Sequence, residues 1–377
     1  MRTTHMIISE EALYNNAKVI RESIDRNVKL MCVVKANAYG HGSMHAARMM
    51  LAAGADAFAV AIIEEARKLR DEGITVPILI LGGGDAGSLR EAVHANASQA
   101  VYSVEMLDVL EAEAKAAGVR AKAHLKIDTG MTRIGVANGE ELDRILAHWK
   151  NNCPHVEMKG IFTHFCVSET DPEFTAQQDA RFCRAIEAAR AAGFAPIAHA
   201  AATGAMLDPA YQHDMVRAGI ALYGTLCPQL EGKLNYAQTL TARPVRIETI
   251  SAGTTVGYGR TFRAERETRV MTIPVGYGDG YPRALSNRAE ALVCGRRVRQ
   301  IGNVCMDMLM LDVTDVPEAT LDSEVVLMGA QGSERITPDE LAAASGTIPY
   351  EIMLGFSPRI RREYIGFFPK MPNEKKI

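Results

Sequence analysis

Through the first 237 residues, short β-branched or apolar runs alternate with Ala/Glu/Arg-rich stretches of helical period. No other feature limits the architecture as much. Eight candidate strands fall at 28–34, 57–61, 76–81, 100–102, 121–127, 156–163, 195–200 and 215–222. Between them, 45–53, 64–72, 105–117, 140–150 and 174–192 read as amphipathic helices, while the stretches near 88–94 and 201–206 are weak helix formers. A further helix, 10–25, precedes the first strand. Near-continuous apolar strands imply a sheet covered on both faces, and parallel neighbours need crossover helices. Eight such units without a break in composition predict a (β/α)8 barrel of the TIM type rather than an open doubly wound sheet.

From residue 238 the texture changes. Short strand-like runs at 245–250, 270–274, 291–293, 297–301, 308–313 and 324–328 are broken by Gly, Pro and Asp at close spacing. Only 338–345 reads as a helix, with Thr337 as its N-cap. The expected organisation is therefore α/β, with a barrel over 1–237 and a mainly β-strand domain over 238–377. The tail after Pro369 is expected to fray.

Charge and cysteine usage narrow the function classes. A net charge of −3 argues against a nucleic-acid binder. Seven cysteines lie scattered without C-x-x-C spacing, and no histidine cluster has zinc-ligand spacing, so no metal site is expected. The first 30 residues carry charges throughout and show no secretory leader. No apolar run reaches the roughly 18 residues of a membrane span. These features predict a cytoplasmic protein with no membrane segment.

The chemistry concentrates at strand ends. Val33-Val-Lys-Ala-Asn-Ala-Tyr-Gly-His-Gly42 puts Lys35 where the first barrel strand stops. In a barrel that end faces the shared mouth, and apolar walls there make an amine easier to deprotonate. On its own, Lys35 fits a strand-end lysine reaching into water better than a reactive amine. Lys126-Ile-Asp-Thr-Gly-Met-Thr-Arg-Ile-Gly135, Gly160-Ile-Phe-Thr-His-Phe165 and Val216-Arg-Ala-Gly-Ile-Ala-Leu-Tyr-Gly224 follow at later strand ends. In the second domain come Val256-Gly-Tyr-Gly-Arg-Thr-Phe262, Pro274-Val-Gly-Tyr-Gly-Asp-Gly280, Val304-Cys-Met-Asp307 and Tyr350-Glu-Ile-Met353.

This ordered series, spread from about residue 28 to 368, resembles the alanine racemase family. Its members are pyridoxal 5′-phosphate (PLP) enzymes that pair a barrel with a β domain. The resemblance implies that Lys35 binds PLP covalently and is the base on one face of the substrate. It implies that Tyr258 is the base on the other face, supplied by the second subunit of a homodimer. Arg217 would meet the pyridine nitrogen, and being always protonated it can only donate there. Tyr39, Thr203, Tyr350 and the backbone of Gly219 and Ile220 would cradle the phosphate. His164 would pack by the ring and bond the arginine. Arg133 would meet the PLP phenolate and the substrate carboxylate, and the Met306 N–H of the opposite subunit would be that carboxylate's second donor. Tyr277 and Tyr350 would narrow the entrance, and Lys126 corresponds to a lysine often carbamylated in the family.

The implied activity is PLP-dependent interconversion of L- and D-alanine by two bases, an isomerase reaction supplying D-alanine for peptidoglycan. Three departures mark the chain. Thr3-Thr-His-Met-Ile-Ile-Ser9 replaces the family's opening, Ala202 stands in place of an asparagine beside Thr203, and Asn303 takes the place of an arginine. A serine or broad-specificity racemase of the same fold is the alternative, and a non-catalytic PLP-binding protein is the remaining one.

Overall fold

A computed structural model describes residues 3–366, so the tail after Pro369 lies outside the described residues. The chain opens with β1 (His5–Ser9) and the helix Glu10–Ser23, whose N-cap Ser9 accepts from the Ala12 N–H at 3.1 Å. Acidic residues occupy that helix's first turn and Arg21 its last, matching the helix dipole.

Eight parallel strands then build the barrel: β2 (Lys29–Val33), β3 (Ala57–Val60), β4 (Ile78–Ile80), β5 (Ser98–Val101), β6 (Ala121–Lys126), β7 (Val156–Phe162), β8 (Ile197–His199) and β9 (Met215–Ala218). Their ladder runs β8-β7-β6-β5-β4-β3-β2-β9. The last seam, β8 to β9, is closed by other bonds. Asp214 N donates to the Ala198 carbonyl at 3.1 Å, the Asp214 carboxylate accepts from Ala198 N at 2.8 Å, and Arg217 N donates to the Ala201 carbonyl at 3.0 Å. Ala57–Val60 and Ser98–Val101 are buried along their whole length, as strands covered on both faces should be.

The weak helix near 88–94 is regular, spanning Ala86–His94 and capped by the Asp85 side chain on Ser88 N at 2.8 Å. The expected helix at 201–206 does not form. Turns carry the chain from β8 to β9, and the only helical piece is the short Pro209–Tyr211. The eighth strand is also shorter than 215–222, because Ile220–Tyr223 curls into a 3-10 turn.

The second domain is a twisted, mostly antiparallel sheet. It runs Arg246–Ile250, Thr268–Ile273, Leu309–Asp312, Arg296–Ile301, Glu290–Val293, Val325–Gln331, then β10 (Gln238–Ala242), β1 and Arg361–Ile365. The helix Pro338–Ser345 forms as expected, with the Thr337 hydroxyl accepting from Glu340 N at 3.0 Å. One boundary differs from the sequence expectation. The segment 1–237 is not all barrel, because β1 pairs antiparallel with β10 and parallel with Arg361–Ile365. Its alternation sends Met6 and Ile8 into the core while His5, Ile7 and Ser9 are half-buried.

Met6 and Ile8 are fully buried in this sheet. Met6→Ala should therefore cost about 2–5 kcal/mol in urea denaturation. An unchanged midpoint would show that β1 does not stabilise the sheet.

Candidate functional site

A cavity of about 520 Å³ opens at the C-terminal ends of the barrel strands. Lys35, Tyr39, Lys126, Arg133, His164, Thr203, Arg217, Gly219, Ile220 and Tyr350 all line it. Ten sequence-predicted residues thus converge on one hollow.

Lys35 lies two residues beyond the end of β2, and the chain after it turns abruptly. Ala36, Asn37, Ala38 and Tyr39 all lie in the left-handed region, with φ between 51° and 54°. For L-residues this costs roughly 1–2 kcal/mol each. The turn is held from outside: the Glu65 carboxylate accepts from Ala36 N at 2.5 Å and Ala61 N at 2.7 Å, and Asn37 Oδ1 accepts from Ser43 N at 3.1 Å. The effect is to aim Lys35 into the cavity while Tyr39 packs between Tyr223 and Tyr350, at ring separations of 4.9 and 5.8 Å. Burial pushes the Lys35 amine below its ordinary value, and Arg133 and Arg217 add to that against Glu65.

Arg217 is the most heavily bonded side chain of the site. Its Nη1 donates to His199 Nδ1 and to the His199 carbonyl, both at 2.9 Å. Its Nη2 donates to the Thr163 and Ala200 carbonyls at 2.8 Å and to His164 Nδ1 at 3.1 Å. Both terminal nitrogens are thereby saturated. Among the described residues Nε–H has no hydrogen-bond partner, so it is the donor left for a guest in the cavity. Burial and the Arg133 charge lower the guanidinium to about 9, which still leaves it protonated at neutral pH.

The arginine can only donate, so the tautomers of its partners follow. His199 and His164 accept at Nδ1 and carry their protons on Nε2. His199 Nε2–H then donates to His124 Nδ1 at 2.9 Å, extending the chain one ring deeper. Gly160 makes room there, since a Cβ would lie 2.2 Å from His124 Nδ1. All three rings are neutral: burial, then Arg217, holds His124 and His164 down at about 3 and His199 well below its ordinary value. Sequence reasoning gave neither His124 nor His199 a role. Each is a lone histidine on an apolar strand, and the residues they bond lie far away in the chain.

An anion cradle sits at the start of the 3-10 turn. A Cβ on Gly219 would approach the Tyr39 hydroxyl to 3.3 Å and Thr203 Oγ1 to 3.9 Å, so both hydroxyls surround bare backbone. Gly219 N already donates to Thr203 Oγ1 at 3.3 Å. Two hydroxyls and adjacent N–H groups suit a phosphate.

Lys126 lies across the cavity, donating to the Ile127 carbonyl at 2.6 Å and the Ile134 carbonyl at 3.2 Å. Burial, Arg217 and Arg133 lower it to about 8, with Asp128 opposing. Asp128 accepts from the N–H groups of Gly130, Met131 and Thr132, shaping the loop that carries Arg133.

The remaining predicted residues are elsewhere. Tyr258, Met306 and Tyr277 are 74%, 54% and 42% exposed on the second domain, and none lines the cavity of its own chain. They share one patch: Gly278 N donates to the Met306 carbonyl at 2.8 Å, Tyr277 N to the Cys305 carbonyl at 3.0 Å, and Asn303 Nδ2 to the Tyr258 carbonyl at 2.7 Å. Tyr277 and Tyr350, expected as a pair, are therefore separated within one chain. Two His/Cys/Asp clusters that sequence spacing did not reveal, Asp108-His148-Cys153 and Asp179-Cys183-His213, lie outside the cavity lining. In each, histidine and aspartate already bond at 2.7 Å.

The neutral rings make stability depend on pH. His41, buried and stacked on Tyr223, is held at about 3 like His124 and His164. Unfolded histidines protonate near 6.5 and these cannot, so stability is full above that value and falls as pH drops toward 3. The loss approaches about 1.4 kcal/mol per pH unit per ring. Urea midpoints at pH 7.5 and 5.5 should differ markedly, and equal midpoints would mean the rings protonate in place.

Comparison with known proteins matches both halves. A family model described as alanine racemase, N-terminal domain, covers residues 8–227, and the alanine racemase C-terminal domain model covers 237–364. Alanine racemase 2 of Caldanaerobacter subterraneus subsp. tengcongensis is 38% identical over 97% of this chain and 95% of its own length. The alanine racemase of Symbiobacterium thermophilum is 40% identical over 97% and 98%. The crystal structure of the Bacillus anthracis alanine racemase with bound L-Ala-P superposes with a TM-score of 0.90 at 33% identity, covering 98% of this chain and 96% of that one. The enzyme from D-cycloserine-producing Streptomyces lavendulae gives 0.91 at 32% identity, over 97% and 98%.

Proposed function

The chain belongs to the alanine racemase family, and on that premise we propose that it interconverts L- and D-alanine, using PLP and working as a homodimer. The observation that carries the reading is the cavity's donor set. A lysine of lowered proton affinity faces an arginine with one free N–H, beside two hydroxyls and bare backbone fit for a phosphate. Those residues fit PLP: Lys35 for its aldehyde, Arg217 for its ring nitrogen, and Tyr39, Thr203, Gly219 and Ile220 for its phosphate, with Tyr350 beside them.

When bound, PLP supplies the electron sink that makes an amino acid's α-proton removable. Arg217 tunes that sink, because a cation that only donates leaves the ring nitrogen without a proton of its own. Lys35, freed as a neutral amine, takes or returns the α-proton on one face of the substrate. Tyr258 from a second copy does so on the other face, and Arg133 with the Met306 N–H of that copy fixes the carboxylate. Burial of Lys126 gives it the neutral fraction that carbamylation needs, and a carboxylate there would orient Arg133. Tyr350 and Tyr277 of the other copy restrict the mouth to a small side chain.

The D-alanine formed supplies peptidoglycan precursors in the cytoplasm. The bacterial relatives support this, as do seven cysteines that are all unpaired. Among the described residues no helix is long and apolar enough to cross a membrane.

Borohydride reduction followed by peptide mapping should put the pyridoxyl label on Lys35, and Lys35→Ala should lose the visible band of the bound cofactor. A label elsewhere overturns the assignment. The two enantiomers are equal in free energy, so Tyr258→Phe must lower kcat/KM equally in both directions. Its signature is in the Cα-deuterium isotope effect, which should rise with L-alanine and fall with D-alanine. Unchanged isotope effects would remove Tyr258 from the reaction.

A further inference from the structure

We propose that Asn303 is the positioning residue for Tyr258, and that it fixes this phenol and Met306 as one rigid unit. The inference rests on the role given to Tyr258 above and extends it to a residue at which this chain departs from its family's usual arginine.

Tyr258 opens a three-residue turn, Tyr258–Arg260, whose backbone is unusual at nearly every position. Gly257, Gly259 and Arg260 have φ of 70°, 71° and 51°. Within the turn the closing bond is long, Arg260 N to the Gly257 carbonyl at 3.3 Å. Tyr258 is mostly exposed, so what places it is the backbone of this turn, which sets the position from which its side chain starts.

The bond from Asn303 Nδ2 to the Tyr258 carbonyl, at 2.7 Å, reaches that backbone from a different segment. The fit around it is close. A Cβ on Gly259 would lie 3.3 Å from Asn303 Nδ2, and one on Gly257 would lie 3.6 Å from Asn303 N. Asn303 is itself anchored between two further bonds, Gly302 N to Asn287 Oδ1 at 2.7 Å and Val304 N to Ser286 Oγ at 2.9 Å. Asn287 also reaches the far end of the turn, donating to Thr261 Oγ1 at 3.0 Å.

The segment that carries Asn303 continues directly into Cys305 and Met306. One short stretch of chain therefore holds Tyr258 and Met306, two of the three groups that a second copy would present to the cavity. Proton transfer demands donor and acceptor within about 3 Å, and a 1 Å error in placement can cost 10²-fold in rate. An amide does this work without adding charge beside the phenol, which an arginine would.

The test uses the dimeric holoenzyme. Asn303→Leu removes the donor, and Asn303→Gln keeps it on a longer arm. With Leu, kcat should fall at least tenfold with KM within twofold, and the Cα-deuterium isotope effect should rise with L-alanine and fall with D-alanine. Amide hydrogen exchange of the peptide spanning 255–262 should accelerate while exchange in the barrel stays as it was. Gln should recover part of the rate and of the protection. Should Leu fail to fold, the smaller Asn303→Ala removes the same donor without adding charge. Wild-type exchange and isotope effects in the donor-less variant overturn the proposal. If Tyr258→Phe is silent as well, the role of Tyr258 has failed; if it responds and Asn303→Leu does not, only the positioning claim has failed.

Discussion

The site depends on how one buried cation is satisfied. Arg217 meets five acceptors and none of them is a carboxylate. Its charge is balanced by three backbone carbonyls and two imidazole nitrogens, all from the ends of β7 and β8 or the residues that follow. A buried guanidinium without a counter-ion is expensive unless its donors are met, and here both terminal nitrogens are, which leaves Nε–H as the one donor without a partner among the described residues. That requirement constrains everything around it. Both histidines must stay neutral, both must carry the proton on Nε2, and His124 must accept from His199. The same bonds tie β9 to the residues after β8, adding to the Asp214–Ala198 bonds that close the seam where no strand ladder does.

The second constraint is the left-handed turn after Lys35. Four consecutive non-glycine residues in that region cost several kcal/mol in total by the usual per-residue figure. Strain of this kind persists only where surroundings over-determine it. Glu65, Asn37 and the packed rings of Tyr39, Tyr223 and His41 do that here. What the fold gains is direction: the lysine leaves the strand toward the cavity, and Tyr39 doubles back so that its hydroxyl reaches the cradle at Gly219.

Much of this was legible in the sequence, for reasons that also explain the gaps. Strands buried on both faces read as apolar runs, so the barrel strands stand out, and the residues at their C-terminal ends carry the motifs. β1 was missed because five residues before a helix carry little pattern, and their partner β10 lies more than 200 positions on. The His124–His199 pair spans 75 positions and needs the barrel to exist before the rings can meet. The turn at Ala36–Tyr39 has no glycine to announce it, since alanine and asparagine were held there by contacts rather than by preference. Thr337 was legible as a cap because a cap is a local event.

The division of the predicted residues into a cavity and a distant patch bears on chemistry as well as assembly. Removing a proton from one side of a tetrahedral α-carbon and returning one to the other side requires two groups that cannot sit side by side. A single barrel mouth offers its strand ends from one direction only, and Lys35 already occupies that approach. On the proposed reading, the opposing base comes from the surface of a second copy over the mouth, with its reactive group exposed beforehand and its backbone held. Tyr258 has both properties: its ring is open to solvent, while glycines and the amide of Asn303 fix its backbone. A flexible side chain in the same place would lose rotational freedom on each closure, whereas a pre-set turn loses little. On the same reading, the glycine-bearing turn at Gly257–Arg260 serves the same end as the strained turn at Ala36–Tyr39, so that the backbone of each proton carrier is set before the substrate arrives.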